Sequence, residues 1–184
     1  MRIQPDYNGK YTSVNIKSVN AALASQIEVV IPLYGYTFKY FDDFFSSTDE
    51  FLIDVQVDEL GNQQYKRLFY GVVDDYNEDL VDGTINLAGR DLSARLIDKK
   101  TTLRFQELPA SEIAKILAQD NGLKAVVTDT TTPAGIYYGN MTNNLSIQRS
   151  EWDILSSLAQ AESFDLYVKD DTLYFVDRDK VSHS

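Results

Sequence analysis

Residues 51–73, FLIDVQVDELGNQQYKRLFYGVV, contain the pattern on which the fold prediction depends. Apolar and polar side chains alternate through Phe51–Val57, and a second strand is predicted at Gln64–Val73. A turn is predicted between them, at Glu59–Asn62. Two apolar runs around a short segment with Gly and Asn are typical of a β-hairpin. The segment therefore predicts two antiparallel strands joined by a turn.

Strand patterns continue on both sides of this hairpin. Tyr11–Val19 and Gln26–Leu33 precede it, together with an aromatic-rich run at Tyr36–Phe41. A turn at Val81–Thr84 leads into a further strand at Ile85–Ala88. Short strands at close spacing favour a small antiparallel barrel or sandwich up to about Leu96.

A junction follows at Gly89–Asp98. Leu92–Lys99 predicts one or two helical turns, with Asp91 as a candidate N-cap. Leu92 and Leu96 are expected to pack on the core. For Arg90 and Asp91 two interpretations stay open, a structural ion pair or simple caps, and neither requires catalysis.

The second half has a different pattern, with helices as well as strands. A helix opens at Pro109-Ala110 and stops at Gly122, and a strand is predicted at Leu123–Thr128. Ser150 caps a second helix, with Asp153 as its capping-box partner and an apolar face that includes Trp152, Leu155, Leu158 and Ala159. A tight hairpin at Lys169–Asp171 joins two final strands, Phe164–Val168 and Thr172–Val176. Residues 98–179 thus predict a small α+β module with two helices.

Composition excludes several function classes. Lys and Arg number 17 against 28 Asp and Glu, giving a formal charge of -11, the wrong sign for a protein that grips phosphate backbones. No cysteine is present, which excludes disulfides and thiolate chemistry, and the single histidine is His183. No apolar stretch approaches the ~20 residues of a membrane helix, and the N-terminus lacks a signal-peptide core. We expect a soluble protein made in the cytoplasm.

Paired carboxylates are the one feature of the sequence that suggests catalysis, and they are a weak indication of it. The doublets are Asp42-Asp43, Asp74-Asp75 and Asp170-Asp171. Neighbours on a strand point to opposite faces, so no doublet forms the facing pair that glycoside hydrolysis needs. The motifs of calcium loops, zinc helices and phosphate loops are absent from the sequence. We predict no catalytic residue, no cofactor and no metal site.

Aromatic side chains cluster within residues 34–45: Tyr34, Tyr36, Phe38, Tyr40, Phe41, Phe44 and Phe45. Alternate aromatics on a barrel strand would fill a core, but aromatics on both faces are harder to explain by one core. The pattern favours an assembly interface at one face, formed by Tyr34, Tyr36, Phe38 and Tyr40.

Three patches of sequence, in order, resemble the phage late-control D and tail-hub family, which includes the hub part of type VI secretion VgrG proteins. They are residues 68–74 (LFYGVVD), residues 89–98 (GRDLSARLID), and the helix and hairpin between Ser150 and Phe175. The residues that carry the resemblance are Phe69, Gly71, Gly89, Arg90, Asp91, Leu92, Leu96, Trp152 and Leu155.

The resemblance implies both a fold and a role. It implies a tail-tube-like split β-barrel (1–97) followed by a small α+β domain (98–184). Family hubs form homotrimers that join the tail-tube protein to the spike protein in the virion baseplate, after assembly in the host cytoplasm. DNA passes through the lumen without specific binding, and an acidic wall would prevent it from sticking.

Each protomer of a family hub supplies two similar barrels, and this chain departs from that pattern because no second barrel follows the α+β module. It is either a fragment of a longer hub, which we expect, or a shortened relative. A carbohydrate- or receptor-binding module of a tail, using the aromatics as sugar platforms, is the alternative function. A cell-wall hydrolase is disfavoured by the residue inventory.

Overall fold

The computed structural model describes residues 2–4, 7–8, 13–17, 24–32, 50, 52–58, 65–101, 105, 108–131, 133 and 149–181. The chain divides into two units, residues 1–20 with 24–92 and residues 21–23 with 93–184. The predicted boundary, between residues 97 and 98, stays a prediction. The predicted fold class is confirmed: the protein is α+β and mainly β, with a curled half-barrel antiparallel sheet.

The first unit is a seven-stranded antiparallel sheet in the order β2-β1-β5-β6-β7-β4-β3. Its strands are β1 (Arg2–Gln4), β2 (Tyr7–Asn8), β3 (Ser13–Lys17), β4 (Gln26–Pro32), β5 (Leu52–Asp58), β6 (Tyr65–Asp79) and β7 (Thr84–Asp91). The strands at 13–17, 26–32, 52–58 and 84–91 match predicted strands. The predicted turn at Glu59–Asn62 and the aromatic run at Tyr36–Phe41 lie outside the described residues.

One face of this sheet forms the core of the first unit. In β4, Ile27, Val29 and Ile31 are buried, whereas the alternating Gln26 and Glu28 are exposed, as the geometry of a strand requires. The buried cluster comprises Ile27, Val29, Ile31, Ile53, Val55, Phe69, Ile85 and Leu87, with Val14, Val73 and Tyr76 packed at its border.

Strand β6 is longer than the sequence predicts, and the predicted end at Val73 is wrong. Its first half pairs with β5 and its second half, as far as Asp79, pairs with β7. The register shifts between Val73 and Asp75, so Asp74 is the extra residue of a β-bulge. Because the bulge interrupts the alternation of apolar side chains, the strand continues where its sequence pattern breaks.

The second unit contains α1 (Ala94–Asp98), β8 (Lys100–Thr101), α2 (Ala110–Asp120), β9 (Lys124–Val127), β10 (Arg149–Ser150), α3 (Glu151–Glu162), β11 (Phe164–Lys169), β12 (Thr172–Asp177) and α4 (Arg178–Val181). A three-stranded sheet has the order β11-β12-β9, with β9 parallel to β12, and β8 pairs with β10. Helices α2 and α3 contact each other and this sheet.

Helix ends in the second unit follow local chemistry. Pro109 precedes α2, and Gly122 just beyond it has a φ of 67°, which favours glycine. At α3 the predicted capping box is present: Asp153 N–H donates to Ser150 Oγ, and Ser150 N–H donates to the Asp153 carboxylate. The two predicted helices are therefore confirmed as α2 and α3. Helix α4 is an addition that the sequence pattern does not predict.

One cap prediction is wrong. Asp91 does not cap the helix at the junction, because it is the last residue of β7; Ser93 occupies the N-cap position of α1. The helix itself is present but shorter than Leu92–Lys99.

Candidate functional site

Four of the residues that carry the resemblance lie where β6 and β7 pair, and a fifth, Phe69, lies two residues earlier on β6. Phe69 and Gly71 belong to β6, and Gly89, Arg90 and Asp91 belong to β7. In the ladder Gly71 lies opposite Asp91, and Gly89 lies opposite Val73. The structure thus brings two separated sequence patches into one segment of the sheet.

Both glycines are required by close approach of neighbouring backbone. A Cβ on Gly71 would collide with the carbonyl oxygen of Arg90 and would lie 2.7 Å from Phe69 Cε1. A Cβ on Gly89 would collide with the carbonyl oxygen of Val72 and would lie 3.3 Å from Ile27 Cγ2. Such contacts with main-chain atoms leave little room for adjustment, so these positions let the sheet curl tightly.

Arg90 and Asp74 form a two-pronged ion pair. Arg90 Nε lies 2.7 Å from Asp74 Oδ2, and Nη2 lies 2.7 Å from Oδ1. The two side chains are 26% and 33% exposed. This arrangement matches the planar fork of Arg to a carboxylate and fixes the bulged residue to β7. The bond between Arg90 and Asp74 is structural, whereas the ion pair between Arg90 and Asp91 that the sequence suggests stays a prediction.

Asp91 joins the end of β7 to the residue before β4. Its carboxylate Oδ2 accepts a hydrogen bond of 2.7 Å from Ser25 N–H, and its own N–H donates to the carbonyl oxygen of Ser25 at 2.9 Å. These two bonds extend the β4–β7 ladder beyond the Gln26–Arg90 pair. Asp91 therefore acts on the main chain of its neighbour instead of capping a helix.

The remaining residues that carry the resemblance are apolar and buried. Leu92 and Leu96 flank the start of α1, and Trp152 and Leu155 belong to the buried face of α3. They contribute packing, and no chemistry follows from them. The assembly interface predicted at Tyr34, Tyr36, Phe38 and Tyr40 lies outside the described residues and stays a prediction.

Glu151, which the sequence analysis does not single out, is a fully buried acid at the start of α3. Asn121 Nδ2 donates to Glu151 Oε2 at 2.6 Å, and Lys99 Nζ lies 3.3 Å from Oε1 without hydrogen-bond geometry. Glu151 N–H donates to the carbonyl oxygen of Lys99 at 3.0 Å. A signal exists in the sequence: position 151 shares the helical face of Leu155 and Leu158.

Nearby, Arg95 extends this polar group within the second unit. Its Nη1 donates to the carbonyl oxygen of Asn121 at 3.2 Å, while Asn121 Nδ2 also donates to the carbonyl oxygen of Leu117. The end of α2 is thereby tied to α1 and to the start of α3. These contacts hold helices together, and their polar atoms are directed at protein groups.

The acidic doublets in the described part of the chain have structural partners. Asp74 binds Arg90, and Asp75 Oδ1 accepts from Tyr76 N–H. Asp170, with a φ of 55°, lies in the turn between β11 and β12, where Asp171 binds Lys124 at 2.8 Å. The hydrogen bond that Lys124 donates to the Asp171 carboxylate lowers the pKa of Asp171 and raises the pKa of Lys124. Asp42-Asp43 lies outside the described residues.

Among the described residues, no group of three or more His, Cys, Asp or Glu converges as a metal site. Within the same residues, no helix has the length and hydropathy needed to cross a membrane.

Comparison with known proteins gives a likeness of fold. No protein-family model matches the chain, and no curated protein matches it in sequence. The solved structures that it resembles include the tail protein of Neisseria meningitidis MC58, with a TM-score of 0.61 and 18% identity over 95% of this chain. The 43 kDa tail protein of prophage MuSo2 from Shewanella oneidensis gives a TM-score of 0.61 and 19% identity, also over 95%.

Both likenesses cover nearly all of this chain but part of the other protein. The chain spans 49% of the Neisseria protein and 53% of the Shewanella protein, about half of each. The shared feature is the fold, which in both cases belongs to a protein described as a tail protein.

Proposed function

We propose that this chain is a structural protein of a phage-type tail and serves as its baseplate hub, joining the tail tube to the central spike. The observation that carries the proposal is the likeness of fold to two tail proteins over 95% of the chain. A match of this extent includes both units of the chain and is not confined to the sheet of the first unit.

The packing of the residues that carry the resemblance supports the hub assignment within tail proteins. Gly71, Gly89, Arg90 and Asp91 define one tightly curled place in the sheet, where a substitution would disturb the backbone path. A hub needs such a sheet, because curled sheets from several subunits can enclose a channel. Among the described acids, Asp74 and Asp171 form ion pairs and Asp79 supports a turn, which suits a structural role.

The partners of the proposed hub follow from that role. Homotrimers would contact the tail-tube protein on one side and the spike protein on the other, in the virion. The formal charge of -11 supports a lumen that DNA passes without binding, because like charges repel. Tyr34, Tyr36, Phe38 and Tyr40 are proposed to contribute to ring contacts.

The test is a deletion of the gene in the strain that encodes it, with complementation by the wild-type gene. We expect induced cells without the gene to release no complete tails in negative-stain electron microscopy, and purified wild-type tails to contain the chain by mass spectrometry. Normal tails in the deletion strain, or tails that lack the chain, would contradict the proposal. Glycan binding by the purified chain together with normal tail assembly would favour the carbohydrate-binding alternative.

A further inference from the structure

The tip of the β6–β7 hairpin presents two apolar side chains to solvent. Leu80 is 69% exposed and Val81 is 95% exposed, in the turn between Asp79 and Thr84. Single exposed apolar residues are common on protein surfaces. The two successive residues at the tip of this hairpin form the most exposed apolar pair among the described residues.

The turn does not need these residues in order to form. Asp79 Oδ1 accepts hydrogen bonds from Val81 N–H at 2.9 Å and Asp82 N–H at 3.0 Å, and Gly83 supplies a φ of 61°. Turns of this kind prefer Asn, Asp, Ser or Gly at their exposed positions, and a β-branched Val has poor turn propensity. The side chains at positions 80 and 81 therefore serve something other than the local fold.

The sequence on either side of the tip carries charge of a single sign. From Gly71 to Gly89 the sequence contains no lysine or arginine, and the tip is flanked by Asp75, Glu78, Asp79 and Asp82. Asp79 is committed to the turn, which leaves the carboxylates of Glu78 and Asp82 beside the apolar pair. An apolar knob with an acidic border fits an apolar socket bordered by cations.

We propose that the Leu80–Val81 tip is a docking knob for a different polypeptide, whose receiving surface is an apolar socket edged by Lys or Arg. A second copy of the same tip is a poor occupant, because two acidic borders repel one another. The inference concerns this hairpin and stands independently of the tail role.

Photo-crosslinking in the strain that encodes the chain tests the proposal. The variant Val81→p-benzoylphenylalanine is expected to form an adduct with one other polypeptide, at a segment where apolar residues neighbour Lys or Arg. The same probe at Tyr65, which is 65% exposed at the other end of β6, is the matched control and is expected not to form that adduct.

Binding measurements with the partner identified in this way then distinguish the contribution of the apolar knob from that of its acidic border. Leu80→Ser/Val81→Ser is expected to weaken binding by about tenfold or more, and Asp82→Lys by about threefold or more with a loss of salt dependence. Tyr65→Ser is expected to bind as the wild type does. Circular dichroism and urea unfolding of each variant check that the sheet is intact.

Three outcomes would overturn the proposal: an adduct with another copy of this chain, an adduct whose surface is acidic, or no adduct from a folded chain at normal level. Failure of the proposed tail role can be distinguished from failure of the knob. A chain absent from tails that still crosslinks a cation-edged partner through position 81 contradicts the hub but supports the knob. A chain present in tails whose position 81 crosslinks nothing contradicts the knob alone.

Discussion

Arg90 on β7 holds Asp74, the extra residue of the β6 bulge, through two hydrogen bonds of 2.7 Å. The pair closes over the place where the two strands change register. On the core face of the same segment, Gly71 and Gly89 let the neighbouring main chain approach. The curl of the sheet is thus fixed from both faces.

Replacing either member of this pair is expected to have a modest effect. Because both side chains are partly exposed, Asp74→Asn should lower the free energy of unfolding by about 1 kcal/mol. A double-mutant cycle with Arg90→Met, measured by urea unfolding, should show coupling that decreases with added salt. Asp82→Asn, at the exposed hairpin tip, is the control. Coupling that does not respond to salt would contradict the electrostatic explanation.

Substituting the glycines is expected to be more severe. Gly89→Ala places a methyl group against the carbonyl oxygen of Val72, and Gly71→Ala places one against that of Arg90. We expect each to lower the free energy of unfolding by about 3 kcal/mol or to prevent folding, because main-chain atoms cannot move aside as side chains can. Gly83→Asn is the control: its Cβ meets nothing within 4 Å, and Asn tolerates a φ of 61°. Equal stability of the Gly89→Ala and Gly83→Asn variants would contradict the close-approach explanation.

Substitution of Glu151 tests how much a buried acid contributes to stability when its cationic partner is partly exposed to solvent. Its side chain is fully buried, but Lys99 is 45% exposed, so removal of the acid leaves no buried cation. Glu151→Ala is therefore expected to cost about 2–3 kcal/mol, less than the loss from a pair buried on both sides. Glu151→Gln, which keeps an oxygen for Asn121, should cost less than Glu151→Ala in the same urea unfolding experiment. A cost for Glu151→Gln equal to or above that for Glu151→Ala would contradict the importance of the hydrogen bond from Asn121.

The Lys124–Asp171 pair predicts a pH dependence with a definite sign. Because Lys124 lowers the pKa of folded Asp171 below its usual 3.8, ionised Asp171 favours folding. That stability is present above the unfolded pKa and is lost as the pH falls through the folded pKa. The stability difference between wild type and Asp171→Asn should therefore be small but measurable near neutral pH and disappear in acid. A difference that grows as the pH falls would contradict this assignment.

Local chemistry explains which parts of the fold the sequence could predict. The Ser150–Asp153 capping box, the Gly122 stop and the hairpin at Asp170-Asp171 each depend on a few neighbouring residues, and each is present. The strands at 13–17, 26–32, 52–58 and 84–91 follow from the side-chain pattern within each strand. These features need no information about distant contacts.

The sequence did not predict the features that depend on contacts between residues far apart in the chain. Strand β6 continues past Val73 because a bulge absorbs Asp74, and β9 pairs in parallel with β12, which lies far from it in sequence. The carboxylate of Asp91 binds the Ser25 main chain across a separation of 66 residues. In the sequence Glu151 has the pattern of an ordinary first-turn acid, and only the packing of the folded helices buries it.

The bulge at Asp74 also has a consequence for chain length. Val73 and Tyr76 both border the core, so the two residues between them face outward in succession. A related chain shorter by one residue here would keep the same side chains on the inner face and lose only curvature. In an alignment, a related chain with a one-residue gap at this point would therefore have a flatter sheet with the same strands.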